Sequence, residues 1–287
     1  MNVVTVYDYA NDRVDAQKLL LCWLRHVNKF AHNCNLYLIH GTRISEQELS
    51  SLIEPEITNI NVFYIKSETN PRKYNDRVLD NNFHVNFNLY NVMKVYESVK
   101  QPLIYMDLDA ILLSDLMEWW DYVHEKSFIG TMHYPIGQNL NAGVYSLSGD
   151  CVMNFEELIN RFFENKKEYK NIQNMCREQS DSWLGKRNYA RDVSAFETDG
   201  NLKGSGDQAL YTNYFVKTDE TAYYHKHGPE WNILSSYINY EIDSNGFIQV
   251  NSFPNRMGFE LDKVKILHGY AGGKQPLVDN VGLAYKV

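Results

Sequence analysis

Leu103-Ile104-Tyr105-Met106-Asp107-Leu108-Asp109 is an apolar run that stops on two aspartates. Leu103 to Met106 has strand length and composition, and three similar runs precede it: Val3 to Tyr7, Leu36 to Ile39, and Val62 to Ile65. Helical signals fall between them. Leu20, Trp23, Leu24, Val27 and Phe30 recur at helical spacing, and Ser45 with Glu48 forms a capping-box signal. Leu89, Val92, Met93 and Tyr96 mark the helix before the fourth run. Strand and helix thus alternate, which predicts a mostly parallel, Rossmann-like sheet in the N-terminal half. Ligands of such sheets gather beyond the carboxyl ends of the strands, where Asp107 and Asp109 stand.

Working outward, the second half is less regular. Strands are expected at Phe128 to Met132, Val144 to Leu147 and Val264 to Leu267, separated by helical and polar segments, so mixed pairing is expected there. The expected architecture is α/β: one mixed sheet flanked by helices in a single domain over 1–287, with a nucleotide-binding half, 1–115, and an acceptor and catalytic half, 116–287. A chain of 287 residues, 44% hydrophobic and 22% charged, has the balance of an ordinary globular protein with a sizeable core.

Composition also excludes some functions. A formal charge of -8 lacks the basic footprint of nucleic-acid binders, so an anionic ligand must be held by local charge. Cys22, Cys34, Cys151 and Cys176 form no CxxC pair and read as reduced thiols. The first residues lack the basic and apolar regions of a signal peptide, and no apolar stretch reaches membrane-spanning length. A cytoplasmic enzyme without a membrane span is expected.

Three segments carry chemistry. If the backbone after Met106 stays extended, the side chains of Asp107 and Asp109 point the same way while Leu108 turns to the core, and two carboxylates converge on one hard divalent cation. The alternative is that two acids cap a strand-to-loop turn. His268-Gly269-Tyr270-Ala271-Gly272-Gly273-Lys274 follows another expected strand. There His268 offers a nitrogen ligand that favours a borderline ion such as manganese, the glycines allow backbone to approach a phosphate, and Lys274 offsets diphosphate charge. A glycine-rich turn with a surface lysine is the plainer alternative; a P-loop is rejected because Gln275 stands where a hydroxyl is needed. The third segment, Gly204-Ser205-Gly206-Asp207-Gln208, precedes an apolar stretch, and Asp207 suits a helix cap.

In order along the chain stand Asp107 and Asp109, Asn141-Ala142-Gly143, Asp207-Gln208, and then His268, Ala271 and Lys274. This series resembles glycosyltransferases of the GT-A fold, most nearly the glycogenin-like, sugar-retaining family. The resemblance implies that Asp107, Asp109 and His268 ligate Mn2+ or Mg2+. It also implies that Lys274 contacts the diphosphate of a UDP-sugar donor and that Asn141 lines the donor sugar, with Ala142, Leu108, Gly269 and Gly272 alongside. Tyr7, Asp8 and Tyr9 occupy the region where the family holds uridine. Asn91 stands where a lysine is frequent, so Arg72, Lys73 or Arg77 would substitute in donor contacts. Trp231 and Asn232, in Pro229-Glu230-Trp231-Asn232, match a stretch near the active site and would face a glycan or other hydroxyl acceptor; a buried tryptophan is the more ordinary reading.

Two catalytic outcomes remain open. With retention, Gln208 matches the family residue that stabilises an oxocarbenium-like centre; with inversion, Asp207 is the carboxylate able to deprotonate the acceptor hydroxyl. Two other classes compete. A haloacid-dehalogenase-like phosphatase also places Asp-x-Asp after a strand, but Ile111 and the late position of the pair argue against it. A non-catalytic carbohydrate-binding protein would use the tyrosines and tryptophans as sugar platforms.

Overall fold

A computed structural model of the chain describes residues 1–7, 14–41, 44–67, 73–74, 77–78, 84–124, 128–132, 140–149, 221–222, 229–252, 261–269 and 274–284, at some of them by backbone alone. Strand β1 (Asn2–Tyr7), helix α1 (Val14–Phe30), strand β2 (Asn35–His40), helix α2 (Glu46–Ile53) and strand β3 (Asn61–Lys66) come first. A two-residue pair, β4 (Lys73–Tyr74) and β5 (Arg77–Val78), then precedes α3 (His84–Val99) and β6 (Leu103–Met106). β1 to β2 and β2 to β3 are parallel pairs, whereas β6 returns to the other side of β1, also parallel. The strand order therefore reverses between β1 and β6, the kind of switch point beyond whose carboxyl ends ligands of α/β sheets gather. Every residue of β1 and β6 is buried, as expected of central strands covered on both faces.

The capping box predicted for α2 is present: Ser45 Oγ accepts the Glu48 N–H at 3.1 Å, and Glu48 Oε2 accepts the Ser45 N–H at 2.9 Å. Helix α1 buries Leu20, Trp23, Leu24 and Val27 and packs against a C-terminal helix, Lys274–Ala284. That helix has no distinct signal in the sequence, because the glycine-rich run before it reads as loop.

Beyond β6 come β7 (Ala110–Leu112), helix α4 (Met117–Trp120), β8 (Phe128–Met132), β9 (Leu140–Leu147) and β10 (Thr221–Ala222). β9 is antiparallel to both β6 and β8, and β10 adds in parallel to β8, so the large sheet is mixed, with seven strands among the described residues in the order β10-β8-β9-β6-β1-β2-β3. Then come β11 (Ile233–Leu234), the hairpin β12 (Asn239–Ile242) and β13 (Ile248–Ser252), and β14 (Ile266–His268), before the C-terminal helix. β14 lies between β11 and β7 in a second, three-stranded sheet. The predicted strand from Val264 to Leu267 is thus shifted toward the C-terminus: His268 lies within the strand because it pairs with Ala110 of β7. Among the described residues no helix is long and apolar enough to cross a membrane.

The β12–β13 hairpin is tied to α1 through a buried histidine. His26 Nδ1 donates to the Cys22 carbonyl at 2.8 Å, its Nε2 accepts the Ile248 N–H at 3.0 Å, and Phe247 meets its ring edge-on. Arg25 reinforces the joint by donating to the Glu56 carboxylate and to the Asn245 carbonyl. Burial, aided by the nearby Lys29 and Arg25 cations, lowers the His26 pKa from 6.5 to about 4.

The unfolded chain therefore protonates His26 near 6.5 while the folded chain keeps it neutral down to about 4. Its contribution is complete above that window and is lost as pH falls through it, a difference of about 3 kcal/mol. Urea unfolding across this range is expected to show a decline that His26→Gln lacks. Equal pH slopes for the two proteins would reject the assignment.

Candidate metal centre

Asp107 follows the last residue of β6 and continues its ladder, donating its N–H to the Gly143 carbonyl at 2.7 Å. The backbone then folds. The Asp107 carbonyl accepts the Ala110 N–H at 2.9 Å, which closes a tight turn over Asp107-Leu108-Asp109-Ala110. In the sequence, convergence of the carboxylates is conditional on an extended backbone; the structure has a strand-to-loop turn instead, and the carboxylates still lie together. The chain must leave the large sheet to pair β7 with β14, and the turn is the step between them. Leu108 is buried in the core as expected, so its side chain faces packing rather than a ligand.

β14 delivers the third group. His268 sits opposite Ala110, and the Gly269 N–H donates to the Asp109 carbonyl at 2.8 Å. This register brings His268 Nε2 to 3.4 Å from Asp109 Oδ1 and 4.0 Å from Asp107 Oδ2. One donor atom from each of the three residues lies within 4.8 Å of the others. Side-chain exposure is 37% for Asp107, 5% for Asp109 and 2% for His268, so the open side of the cluster is the Asp107 side. Two carboxylates and one imidazole form a mixed oxygen and nitrogen set suited to a divalent ion of the manganese type, and cis ligands on such an ion stand about 3 Å apart. The residues fit a metal.

The surrounding groups hold this set in place. Tyr105 Oη donates to Asp107 Oδ1 at 2.5 Å. His268 Nδ1 lies 2.9 Å from Asn232 Oδ1, while Asn232 Nδ2 donates to Thr131 Oγ1 at 2.7 Å and Asn141 Oδ1 at 3.1 Å. Asn141 Oδ1 also accepts the Gly143 N–H at 2.9 Å, and the pairing of β8 with β9 is irregular between Gly130 and Thr131. Gly143 is required by close approach: a Cβ there would lie 2.5 Å from His268 Cε1 and 2.7 Å from Asp107 Oδ2.

Other predicted site residues divide into three groups. Tyr7 ends β1 beside β6, Ala142 and Asn141 lie in β9, and Asn91 is buried in α3. The backbone alone places Lys73 and Arg77 in the small β4–β5 hairpin, and Lys274 at the start of the C-terminal helix. Asp8, Tyr9, Arg72, Asp207, Gln208 and Gly272 lie outside the described residues.

Trp231 and Asn232 are corrected. Trp231 is 1% exposed, meets Trp119 edge-on and has Lys265 Nζ 4.7 Å over its ring, so it is a core element and not an open sugar platform. Asn232 is buried behind His268 with both amide groups engaged, and not at an acceptor surface. Tyr105 and Thr131 carry no signal of their own in the sequence, since both sit in apolar strand runs where only the neighbouring strand reveals what the hydroxyl touches.

No family model and no curated protein matches the sequence. Among solved structures, the chain is similar to the glycosyltransferase GlyE of Streptococcus pneumoniae, at 15% identity and a TM-score of 0.46, with 77% of this chain aligned to 45% of that one. It is also similar to the galactosyltransferase LgtC, solved with donor and acceptor sugar analogues, at 14% identity and a TM-score of 0.47, covering 100% of this chain and 97% of that one. A third is mouse xyloside xylosyltransferase 1, at 11% identity and a TM-score of 0.47, covering 95% and 99%. The chain thus spans less than half of GlyE and nearly all of the other two.

Gly143→Ala is expected to push His268 and Asp107 apart and to weaken Mn2+ binding, measured by titration calorimetry, at least about tenfold, with a stability loss of about 1–3 kcal/mol from overpacking. Wild-type affinity in this variant would contradict the close approach.

Proposed function

We propose that the chain is a divalent-metal-dependent glycosyltransferase that moves a sugar from a UDP-sugar to a hydroxyl of a glycan or other acceptor. The observation that carries this reading is the meeting of Asp107, Asp109 and His268, from two separate strand systems, just past the carboxyl end of β6, where the strand order reverses. The ordered motifs of the sequence supply the donor class. Both halves of the chain, 1–115 and 116–287, would serve one catalytic unit, since β7 of the first pairs with β14 of the second.

In this reading Asp107, Asp109 and His268 hold Mn2+ or Mg2+. A bound ion supplies Lewis-acid stabilisation of the charge on the departing nucleoside diphosphate. Lys274 adds a positive charge for the diphosphate, and the backbone at Gly269 and Gly272 lies along the same segment. Tyr7, at the end of β1, would take the nucleoside end of the donor together with Asp8 and Tyr9, which follow it in sequence, and Asn141 with Ala142 would take the sugar end. Arg77 and Asn91 complete the donor side. The acceptor oxygen forms its bond to the anomeric carbon as the bond from that carbon to the diphosphate oxygen breaks. If configuration is retained, Gln208 stabilises positive charge at that carbon and the departing diphosphate oxygen takes the acceptor proton; if it is inverted, Asp207 takes that proton.

Thermal-shift screening of UDP-glucose, UDP-galactose and UDP-xylose with Mn2+ is expected to show one or more donors raising the melting temperature only when the ion is present. Turnover of that donor should require Mn2+ or Mg2+, and Asp109→Ala should lower it by roughly a thousandfold or more. Undiminished, metal-free turnover by Asp109→Ala would remove the proposal.

A further inference from the structure

The side chain of His268 is useful to a cation only in one of its two neutral forms, with the proton on Nδ1 and the lone pair on Nε2. We infer that this form is selected by the backbone of β9, through a relay in which Thr131 and Asn141 orient Asn232 and Asn232 orients His268. Asn232 is thus a positioning residue. The inference rests on the metal-binding part of the proposed function and not on sugar transfer.

Two backbone groups start the relay, and neither can change its role. The Gly143 N–H is a donor, so the Asn141 side-chain atom it reaches at 2.9 Å must be oxygen. The Val144 carbonyl is an acceptor, so Thr131 Oγ1, at 2.9 Å, directs its hydrogen there and turns a lone pair elsewhere. Asn232 therefore faces two acceptors, Asn141 Oδ1 at 3.1 Å and Thr131 Oγ1 at 2.7 Å, and only its NH2 can satisfy both. Its Oδ1 is left for His268 Nδ1 at 2.9 Å, which must then carry a proton. All of these residues are buried, and in such surroundings an acceptor set against an acceptor is strongly unfavourable.

At the other end of the ring, a bare Nε2 lies 3.4 Å from Asp109 Oδ1 and 4.0 Å from Asp107 Oδ2. Left to itself, a neutral histidine beside two carboxylates would turn its proton toward them. The relay opposes that arrangement and keeps three electron-rich atoms facing one another, an arrangement that a cation relieves. Without Asn232 the proton is free to move to Nε2, where it blocks coordination.

The test uses the full-length protein, metal-free, with 15N-labelled histidine rings at about pH 8, above the ordinary histidine range; the His268 signals are identified by their loss in His268→Gln. Wild-type His268 is expected as the Nδ1–H form. Asn232→Ala is expected to shift it toward Nε2–H and to weaken Mn2+ binding about 10- to 100-fold, the usual scale for groups that orient metal ligands. Asn232→Asp retains an acceptor for Nδ1–H and is expected to restore the Nδ1–H form. Thr131→Val, which changes the relay one step further out, keeps the test informative if Asn232→Ala does not fold, and should populate both forms. An Nε2–H wild-type ring, or an Nδ1–H ring unchanged in whichever of Asn232→Ala and Thr131→Val folds, overturns the relay. Failure of the wild-type protein to bind Mn2+ would instead sink the metal reading, while the ring signals would still decide the relay.

Discussion

The antiparallel contact between β7 and β14 is the constraint on which the candidate site depends. A single rung of it, the 2.8 Å bond from the Gly269 N–H to the Asp109 carbonyl, sets the distance between the imidazole and the carboxylates. Slipping this pairing by one residue would turn His268 to the opposite face of its strand. The large sheet fixes Asp107 through Gly143, and the small sheet fixes His268, so the cluster is a seam between two hydrogen-bonded systems. Neither sheet by itself holds all three groups.

The seam also brings backbone close against the candidate ligands at Gly143. Gly143 admits the imidazole and a carboxylate at distances that no side chain at that position would tolerate. Burial of Asp109 and His268 excludes water from the inner side, which strengthens their electrostatic attraction for a cation relative to exposed groups. Asp107, partly open, marks the direction from which a ligand would approach.

Much of this is legible in the sequence wherever the signal is local. β1, β2, β3 and β6 are short apolar runs, β1 and β6 wholly buried and β3, at the end of the strand order, partly exposed, and the runs match the observed strands closely at both ends. The Ser45 and Glu48 cap spans a single turn and is likewise legible. Asp107, Asp109 and His268 stand out because ionisable or imidazole groups at the ends of apolar runs demand a reason. What is not legible depends on partners far along the chain. β7 is three residues long and has meaning only beside β14, and the β12–β13 hairpin escapes a reading by apolar runs although Asn245-Gly246 marks its turn. Trp231 and Asn232 suggest an acceptor surface by their sequence neighbourhood, but exposure is a property of the assembled fold, and there they are buried.

One consequence of the β7–β14 seam concerns biosynthesis. Asp107 and Asp109 leave the ribosome well before His268 is made, by an interval on the order of ten seconds at ordinary rates of elongation. During that interval the nascent chain offers a passing ion two neighbouring acids but no imidazole, and no second sheet to bury them. A tight grip on a cation would therefore report that the two ends of the seam have met, and a chain truncated before β14 would retain its aspartates without it.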